Sequence, residues 1–539
     1  MKKIFYYIAA LVFFGTGCQK YFETPTDLMR EEDAYKDMAI ADKSLNHLYA
    51  TPWSEIYNRT PNYLLSGTTD EGDISNMTTG GFEFNRGVQS PSDYPLSGTR
   101  WIILYDYIRR TNIYLKNITS VLDLQGIKPQ RIGEAKFIKG LLYMELFKNY
   151  GRFVTLDEVL NITDDLRRPR NTLEECVNYI VNLADEAAAA LPVAHASSEL
   201  GRATKAAAMA LKAEALLFYA SPLHNPNNDV ARWQAAANAA KAVISNPQFD
   251  MYKLYDDYGK LFLVNWNSEI IYAFNASAGT RTMEQAMGPT GSGGWAGVNP
   301  TQQLVDAYQM ENGLSPFNSD GSVNAASGYN AANPYANRES RFYTTILYNG
   351  ATWQGRSIEA FVGGADGIEI GSHIRTQTGY FLRKFVDESI NLNGTQSRAA
   401  TWILYRLGTL MLDFAEAENE ANGPTAEVYA NVNAIRARAK LPALAAGLSK
   451  DQMRERIHHE RRIEMAFENN RFWDVRRWKI GVEKFNIQIK GMRITKNGNN
   501  LTYQVVNVRP RIFDVKRHLF PIPQSEINRN PNMDQNPGW

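Results

Sequence analysis

The chain has 539 residues, and its 58 lysines and arginines against 57 aspartates and glutamates give a formal charge of +1, which offers no field to gather nucleic acid or an anionic membrane. With 44% hydrophobic and 12% aromatic residues it has the composition of a globular protein with ample material for a large core. Only two cysteines are present, Cys18 and Cys176, so stability must come from packing rather than from a framework of cross-links.

At the N-terminus, Lys2 and Lys3 form a short positive head, Ile4 to Phe14 an apolar run, and Gly15-Thr16-Gly17 a set of small residues before Cys18. The apolar run is too short to span a bilayer as a helix, which needs roughly 20 residues, so it reads as a leader to be removed. The pattern resembles a bacterial lipobox, in which the cysteine becomes the first mature residue and carries acyl chains. Gly15 stands where such sites usually have Leu, which leaves a plain secretory signal as the alternative. Acylation at Cys18 would tether an exported body, each buried methylene contributing about 0.8 kcal/mol. No second stretch approaches transmembrane length.

Amphipathic helices are expected through the first half. From Ile132 to Tyr150, Ala135, Ile138, Leu142 and Leu146 make one apolar stripe, with Phe137, Leu141 and Met144 beside it. A helix runs from Leu173 to about Leu191, where Cys176 reads as a small buried apolar residue. Ala203 to Tyr219 and Ala231 to Ile244 follow the same spacing, their alanines allowing close approach of helix axes. Trp402 to Asn422 reads as a helix stopped by Gly423-Pro424, and Thr425 is the N-cap of the next, whose face is Val428, Val432, Ile435 and Ala439. Ser449 and Gln452 form a capping-box pair opening a helix to about Asn469. The fold class is mostly α, a tetratricopeptide-like scaffold of helical hairpins without a full repeat consensus.

Two stretches break the helical pattern. Ser66 to Gly98 is rich in Gly, Ser, Thr, Asn and Asp, while Asn275 to about Arg398 mixes glycine and aromatics with strand-like pieces at Phe342 to Leu347 and Tyr380 to Phe385. Loops this long in a compact protein are usually functional or disordered, and the aromatics favour order. The division is a leader over 1–17 and a single domain over 18–539. Its helical scaffold covers about 35–65, 100–250 and 400–480, and its loop-rich, ligand-facing regions about 66–98 and 275–398.

The common catalytic templates fail. His458-His459-Glu460 lies on a helix, but a zinc peptidase needs His-Glu-x-x-His and the required position is Ile463, so the pair reads as surface histidines. Glu460, Glu464 and Glu468 recur at four-residue spacing before Arg471, Asp474, Arg476 and Arg477. As a glycosidase pair they would need carboxyls roughly 5–10 Å apart, but among arginines they read as ion-paired acids held ionised. No nucleophile elbow or phosphate-cradling loop is present. No metal or cofactor is expected.

What remains is a surface of loop aromatics: Phe82, Phe84 and Tyr94 near Asp70, Asp73, Asn76 and Arg86, then Trp295, Tyr335, Trp353 and Tyr380. Flat rings suit the C–H faces of a pyranose while neighbouring polar groups bond its hydroxyls. Phe84, Tyr94, Arg86, Asp70, Trp295, Trp353 and Tyr335 are the candidate ligand contacts. Any single ring could instead plug a loop into the core.

End to end, the chain resembles the SusD/RagB family of surface lipoproteins. Family-like segments include Trp101 to Tyr105 with Arg109 and Asn112, Glu134 to Phe137 leading to Tyr150-Gly151, Gly201 to Lys205, and Ala239 to Val243 on the Trp233 helix. Later come Tyr405-Arg406-Leu407, Ala415 to Ala417, Asn433, Arg436, Arg438-Ala439, Glu460-Arg461 through Arg477-Trp478, and the ending Pro521 to Trp539. The resemblance implies display on the outer face of an outer membrane, held through the lipid anchor only. It also implies oligosaccharide capture without cleavage and delivery to a SusC-like TonB-dependent transporter. Capture of peptides by the same machinery is the alternative, and a glycosidase using the acids of the 460s helix is a second. The family's sugar-contacting positions vary, so none is carried over.

Overall fold

The computed structural model describes residues 35–50, 59–60, 63–93, 96, 100–276, 283–394, 396, 398 and 400–539, so the leader, Cys18 and Tyr94 lie outside the described residues. Six helices of the first half are α1 (Met38–Tyr49), α2 (Arg100–Ile118), α3 (Lys128–Tyr150), α4 (Leu173–Ala190), α5 (Lys205–Ala220) and α6 (Val230–Ile244). The four longer helices of the second half are α7 (Leu407–Asn422), α8 (Ala426–Arg438), α9 (Lys450–Glu464) and α10 (Asn470–Arg477). The strands that matter below are β1 (Gly72–Ile74), β2 (Ile270–Ala276), β3 (Val298–Pro300), β4 (Ala400–Arg406), β5 (Gln488–Asn497) and β6 (Asn500–Pro510).

Successive helices α2 to α6 pack each on the next, which makes the tetratricopeptide-like array that the alanine-rich stripes anticipate. Small residues set the spacing: a Cβ on Gly140 of α3 would come within 2.8 Å of Leu211 on α5, and one on Gly133 within 2.9 Å of Ala190 on α4. The caps are those read from the sequence. Thr425 accepts from the Val428 amide at 3.4 Å, and Ser449 and Gln452 exchange both capping-box bonds at 2.9 and 3.2 Å. Cys176 is buried in α4, and burial pushes its thiol up to about 11.

The array does not stop at α6. It skips the long loop-rich segment and continues with α7, which packs against α6 and then carries α8 and α9. The segment between is an insertion whose neck is the antiparallel pair β2–β4, with Trp402 opposite Phe274 and Ile403 opposite Ala273. This corrects the sequence reading of Trp402 as the start of a helix: Trp402 to Arg406 is strand, and the helix begins at Leu407. β-branched and aromatic residues in that run suit a half-buried strand. The piece Phe342 to Leu347 is likewise corrected, being helical over Ser340–Thr345 with only Ile346–Leu347 extended. The insertion has its own core around Trp353, Phe342, Tyr380 and Phe467, beside the larger core of the helices.

A buried ionic hub fastens the insertion to the array. Arg406, at the end of β4, donates to Glu269 at 2.7 Å, Glu464 at 2.9 Å and both oxygens of Glu468 at 2.8 Å. Arg438 from α8 joins Glu269 and Glu464, and Arg341 from the insertion donates to Glu464 at 3.0 Å and Glu460 at 2.6 Å. Burial works to raise Glu464, but Arg438, Arg406, Arg341 and Lys384 outweigh it and hold the carboxyl far below its ordinary value. Arg406→Met should therefore cost about 3–5 kcal/mol in chemical denaturation, because it leaves carboxylates buried with fewer partners. An unchanged unfolding midpoint would mean the hub is not buried as described.

Candidate functional site

The two irregular segments come together. β1 from the first pairs antiparallel with β3 from the second, Asp73 opposite Asn299 and Ile74 opposite Val298. Where β1 ends, the Ser75 hydroxyl reaches the Ala296 carbonyl, Asn299 Oδ1 at 3.0 Å and the Arg375 carbonyl at 3.3 Å. Asn299 Oδ1 also accepts from the Gln377 amide at 2.8 Å. Gln377 in turn donates to the carbonyls of Glu369, Ser372 and Arg375 at 3.2, 2.6 and 2.9 Å and accepts from Arg509 at 2.8 Å. Ser75, Asn299 and Gln377 thus clasp three loops and the β5–β6 ribbon with buried, mutually satisfied bonds.

Around this clasp lies a polar face with apolar spots. Trp295 is half-buried beside it, its amide bonded to the Gln285 carbonyl at 2.9 Å. Asn76 is half-buried and folds the chain by accepting from the amide and hydroxyl of Thr78 at 3.0 and 2.7 Å. His373 is exposed, Ile374 is 61% exposed, and Arg375 is half-buried with Glu369 at 3.1 Å. Phe82 is half-buried with the Arg509 guanidinium 5.1 Å above its ring. A second brace stiffens the rim: Arg356 grips Asp366 at 2.7 and 2.8 Å and Ser292 at 3.0 Å, and Asp366 accepts from the Gly291 amide at 2.8 Å. Burial works against the Asp366 charge, but Arg356 and the amides of Glu359 and Gly291 hold its carboxyl below the usual range.

The expected ligand contacts divide. Trp295 and Arg86 reach the surface, Arg86 fully, on the last turn of the short helix Gly80–Arg86. Phe84, Tyr335, Trp353 and Asp70 do not, and the structure corrects them. Phe84 is 2% exposed among Phe472, Phe513 and Phe520, with ring centres 5.5 to 6.4 Å away. Tyr335 stacks in the insertion core against Tyr348 at 4.6 Å, and Trp353 is fully buried in the same core. Each ring plugs a loop that could not otherwise bury enough apolar area to stay ordered. Asp70 is spent on Arg471, at 2.8 and 2.9 Å, and on Arg462 at 2.9 Å. Tyr380 is buried as well, its hydroxyl on Gln302 at 2.7 Å, and Asp73 is taken by Arg509 and Arg511 at 3.2 and 3.1 Å. Asn299 on β3 and the loop residues Gln377 and Arg375, which shape the face, are polar residues with no motif around them.

A model described as the SusD family matches residues 262–539, and another described as starch-binding, associating with outer membrane, matches residues 20–217. The chain belongs to the SusD family. It is similar to SusD-like protein P2 of Formosa agariphila, 25% identical over the whole of both chains. Among solved structures it resembles a SusD-like protein from Bacteroides fragilis, 26% identical, with a TM-score of 0.81 over 94% of this chain and 98% of that one. A second B. fragilis structure, a SusD-like carbohydrate-binding protein, is 24% identical with a TM-score of 0.78 over 93% of this chain and 99% of that one.

The SusD-family motif around α9 proves to be internal wiring. Glu460, Glu464 and Glu468 are the acids a glycosidase would need; Glu460 and Glu464 are buried and Glu468 half-buried, and all three are paired, Glu460 by Arg341 and Arg436 at 2.6 and 3.1 Å, the other two by the hub. Glu468, which burial would raise, is held below its ordinary value by Arg406 and Lys384. Carboxylates committed in this way to guanidinium and ammonium partners are poorly placed for acid–base work on a substrate. Arg461 and Arg477 pair in the same way with Asp413, Asp474 and Glu416.

His458 and His459 are not the surface pair that the sequence suggested. Both are half-buried on the wall of a cleft of about 810 Å³, and the His458 ring stacks on Trp478 with centres 3.5 Å apart. Among the described residues no cluster of three or more His, Cys, Asp or Glu could hold a metal. Burial pushes His458 down to about 3 and His459 to about 4, so both are neutral in the folded protein at every ordinary pH. The unfolded chain protonates them below about 6.5, so their contribution to stability is intact above that pH and is lost as pH falls toward 4. His458→Gln should flatten the fall in urea midpoint between pH 6.5 and 4, whereas parallel profiles for both proteins would show the imidazole to be solvated.

Proposed function

We propose that this protein is a non-catalytic capture lipoprotein that binds oligosaccharides or polysaccharide fragments at the cell surface and passes them to a SusC-like TonB-dependent transporter in the outer membrane. Cys18 would carry the lipid anchor. The observation that carries the reading is the convergence of the two loop-rich segments into one clasped face bearing Trp295, Asn76 and Arg375. A half-buried indole beside hydrogen-bonding side chains matches the amphiphilic surface of a sugar ring, and a fixed frame limits the ordering entropy lost on capture.

Family membership supports the reading through the outer-membrane, starch-binding description of the model that matches the N-terminal half. No helix among the described residues is long and apolar enough to cross a membrane, in keeping with attachment through an anchor rather than a span. The closed acids of α9 support capture over hydrolysis.

Trp295→Ala should weaken oligosaccharide binding by about tenfold or more in calorimetry while leaving the unfolding midpoint nearly unchanged. Trp353→Ala should do the opposite, costing about 3–5 kcal/mol of stability as a large-to-small core change. A panel of glycans and oligopeptides on wild-type protein decides the ligand class, and binding confined to peptides would replace the glycan reading.

A further inference from the structure

The β5–β6 ribbon is a hairpin closed at Asn497 and Asn500, with Gly498 at φ 60° in the first position of the two-residue turn. Its two edges differ. The β5 edge is covered: the Met492 amide donates to the Thr378 carbonyl at 2.7 Å, and the Ile494 carbonyl accepts from the Val362 amide at 2.8 Å. That contact needs glycine, because a side chain on Gly379, itself at φ 82°, would run into the Met492 carbonyl. Met492 and Ile494 therefore turn their backbone groups away from β6. In an antiparallel pair their partners Val505 and Tyr503 do the same on the far side, and Leu501 continues the alternation. No strand lies beyond β6, and among the described residues no backbone bond from outside the ribbon reaches Leu501, Tyr503 or Val505.

Such an edge is usually blunted by charge, proline or a bulge. From Asn500 to Val508 this one carries no charged residue and no proline, and its register against β5 is unbroken from Asn500 to Asn507. Leu501 is 37% and Val505 49% exposed. The surrounding charge has one sign. Between Asn486 and Phe513 there are five cations, Lys490, Arg493, Lys496, Arg509 and Arg511, and no acid. Arg509 and Arg511 are used by Asp73, whereas Lys490 and Arg493 are exposed and have no ion-pair partner among the described residues.

We propose that the free edge of β6 takes up an extended, acidic polypeptide segment as a third strand of the ribbon. Strand addition would satisfy the outward amides and carbonyls of Leu501, Tyr503 and Val505 and cover the exposed leucine and valine. Arg493 stands opposite Gln504, across one strand from the incoming chain, about 9–10 Å away at two strand spacings and within reach of a carboxylate on it. A second copy of the same ribbon would bring like charges together, so self-pairing is disfavoured. This site is separate from the glycan face and does not depend on it.

The test uses the mature chain and an alternating Glu-Val octapeptide, with an alternating Lys-Val octapeptide as the charge control. Wild-type protein should bind the acidic peptide and not the basic one, and Arg493→Glu should invert that preference. Val505→Pro removes one outward amide while sparing the bonds to β5, and should weaken binding about two- to tenfold, the worth of one backbone hydrogen bond. Methylating the backbone nitrogens of the peptide's central Glu-Val pair should do the same with unaltered protein, which keeps the test valid if the proline variant misfolds. Failure of wild-type protein to bind the acidic peptide, equal binding of the methylated peptide, or equal binding of the basic one would overturn the proposal.

Discussion

Arg406 is the point on which the two bodies of the molecule turn. Its guanidinium is about 1% exposed and faces three carboxylates: Glu464 from the end of α9, Glu468 from the turn after it, and Glu269 from the foot of β2. Taking such charges out of water costs several kcal/mol per ion, so the arrangement holds only if every lone pair finds a donor. That demand explains why Arg341, Arg438 and Lys384 are recruited from the insertion and from α8. It also explains why Lys384, which burial brings down to about 8, keeps four hydrogen-bond partners including Glu468. A partial hub would be worse than an apolar contact, which favours one arrangement of insertion against array over its neighbours.

The same logic separates what could be read in the residues from what could not. Helices α3 to α6 were legible because one apolar stripe per helix and alanine at the contacts leave little choice of partner. The capping box at Ser449 was legible because it is local. Trp402 to Arg406 was misread because its residues suit helix and strand alike, and the deciding partner, β2, lies well over a hundred residues earlier. The helix expected to reach Asn469 ends at Glu464, because the chain turns through Phe467 and Asn469, at φ 63° and 71°, to give Asn469 to Ser66 of the first loop segment. The two-residue turn Gly498-Asn499, by contrast, is a local hairpin signal that needs no tertiary knowledge, although the sequence reading did not pick it out.

For the candidate site the lesson is about aromatics. Composition places rings in the loops, but a long irregular segment must bury some of them to be ordered at all. Phe84, Tyr335, Trp353 and Tyr380 serve that need, and the arrangement of polar groups decides which rings remain for a ligand. Trp295 stays half-buried beside the clasp of Ser75, Asn299 and Gln377, whose polar groups are satisfied among themselves and by backbone. No spacing rule announces such a clasp, since its members come from three segments and are individually ordinary.

Charge makes the last distinction. Across the chain positive and negative residues nearly cancel, yet the cancellation is not uniform. In the interior acids and bases meet each other at the hub, around Asp70 and around Glu416. The β5–β6 ribbon contributes cations to that interior through Arg509 and Arg511 and keeps Lys490 and Arg493 outside, where they have no ion-pair partner among the described residues. An unblunted strand edge is costly for solubility unless something covers it. The geometry that makes the inner edge of the ribbon part of the clasped frame, through Met492 and Ile494, leaves its outer edge turned away from that frame. One ribbon therefore offers two surfaces, one fixed inward by hydrogen bonds and one open outward, and their independence follows from the alternation of an antiparallel pair.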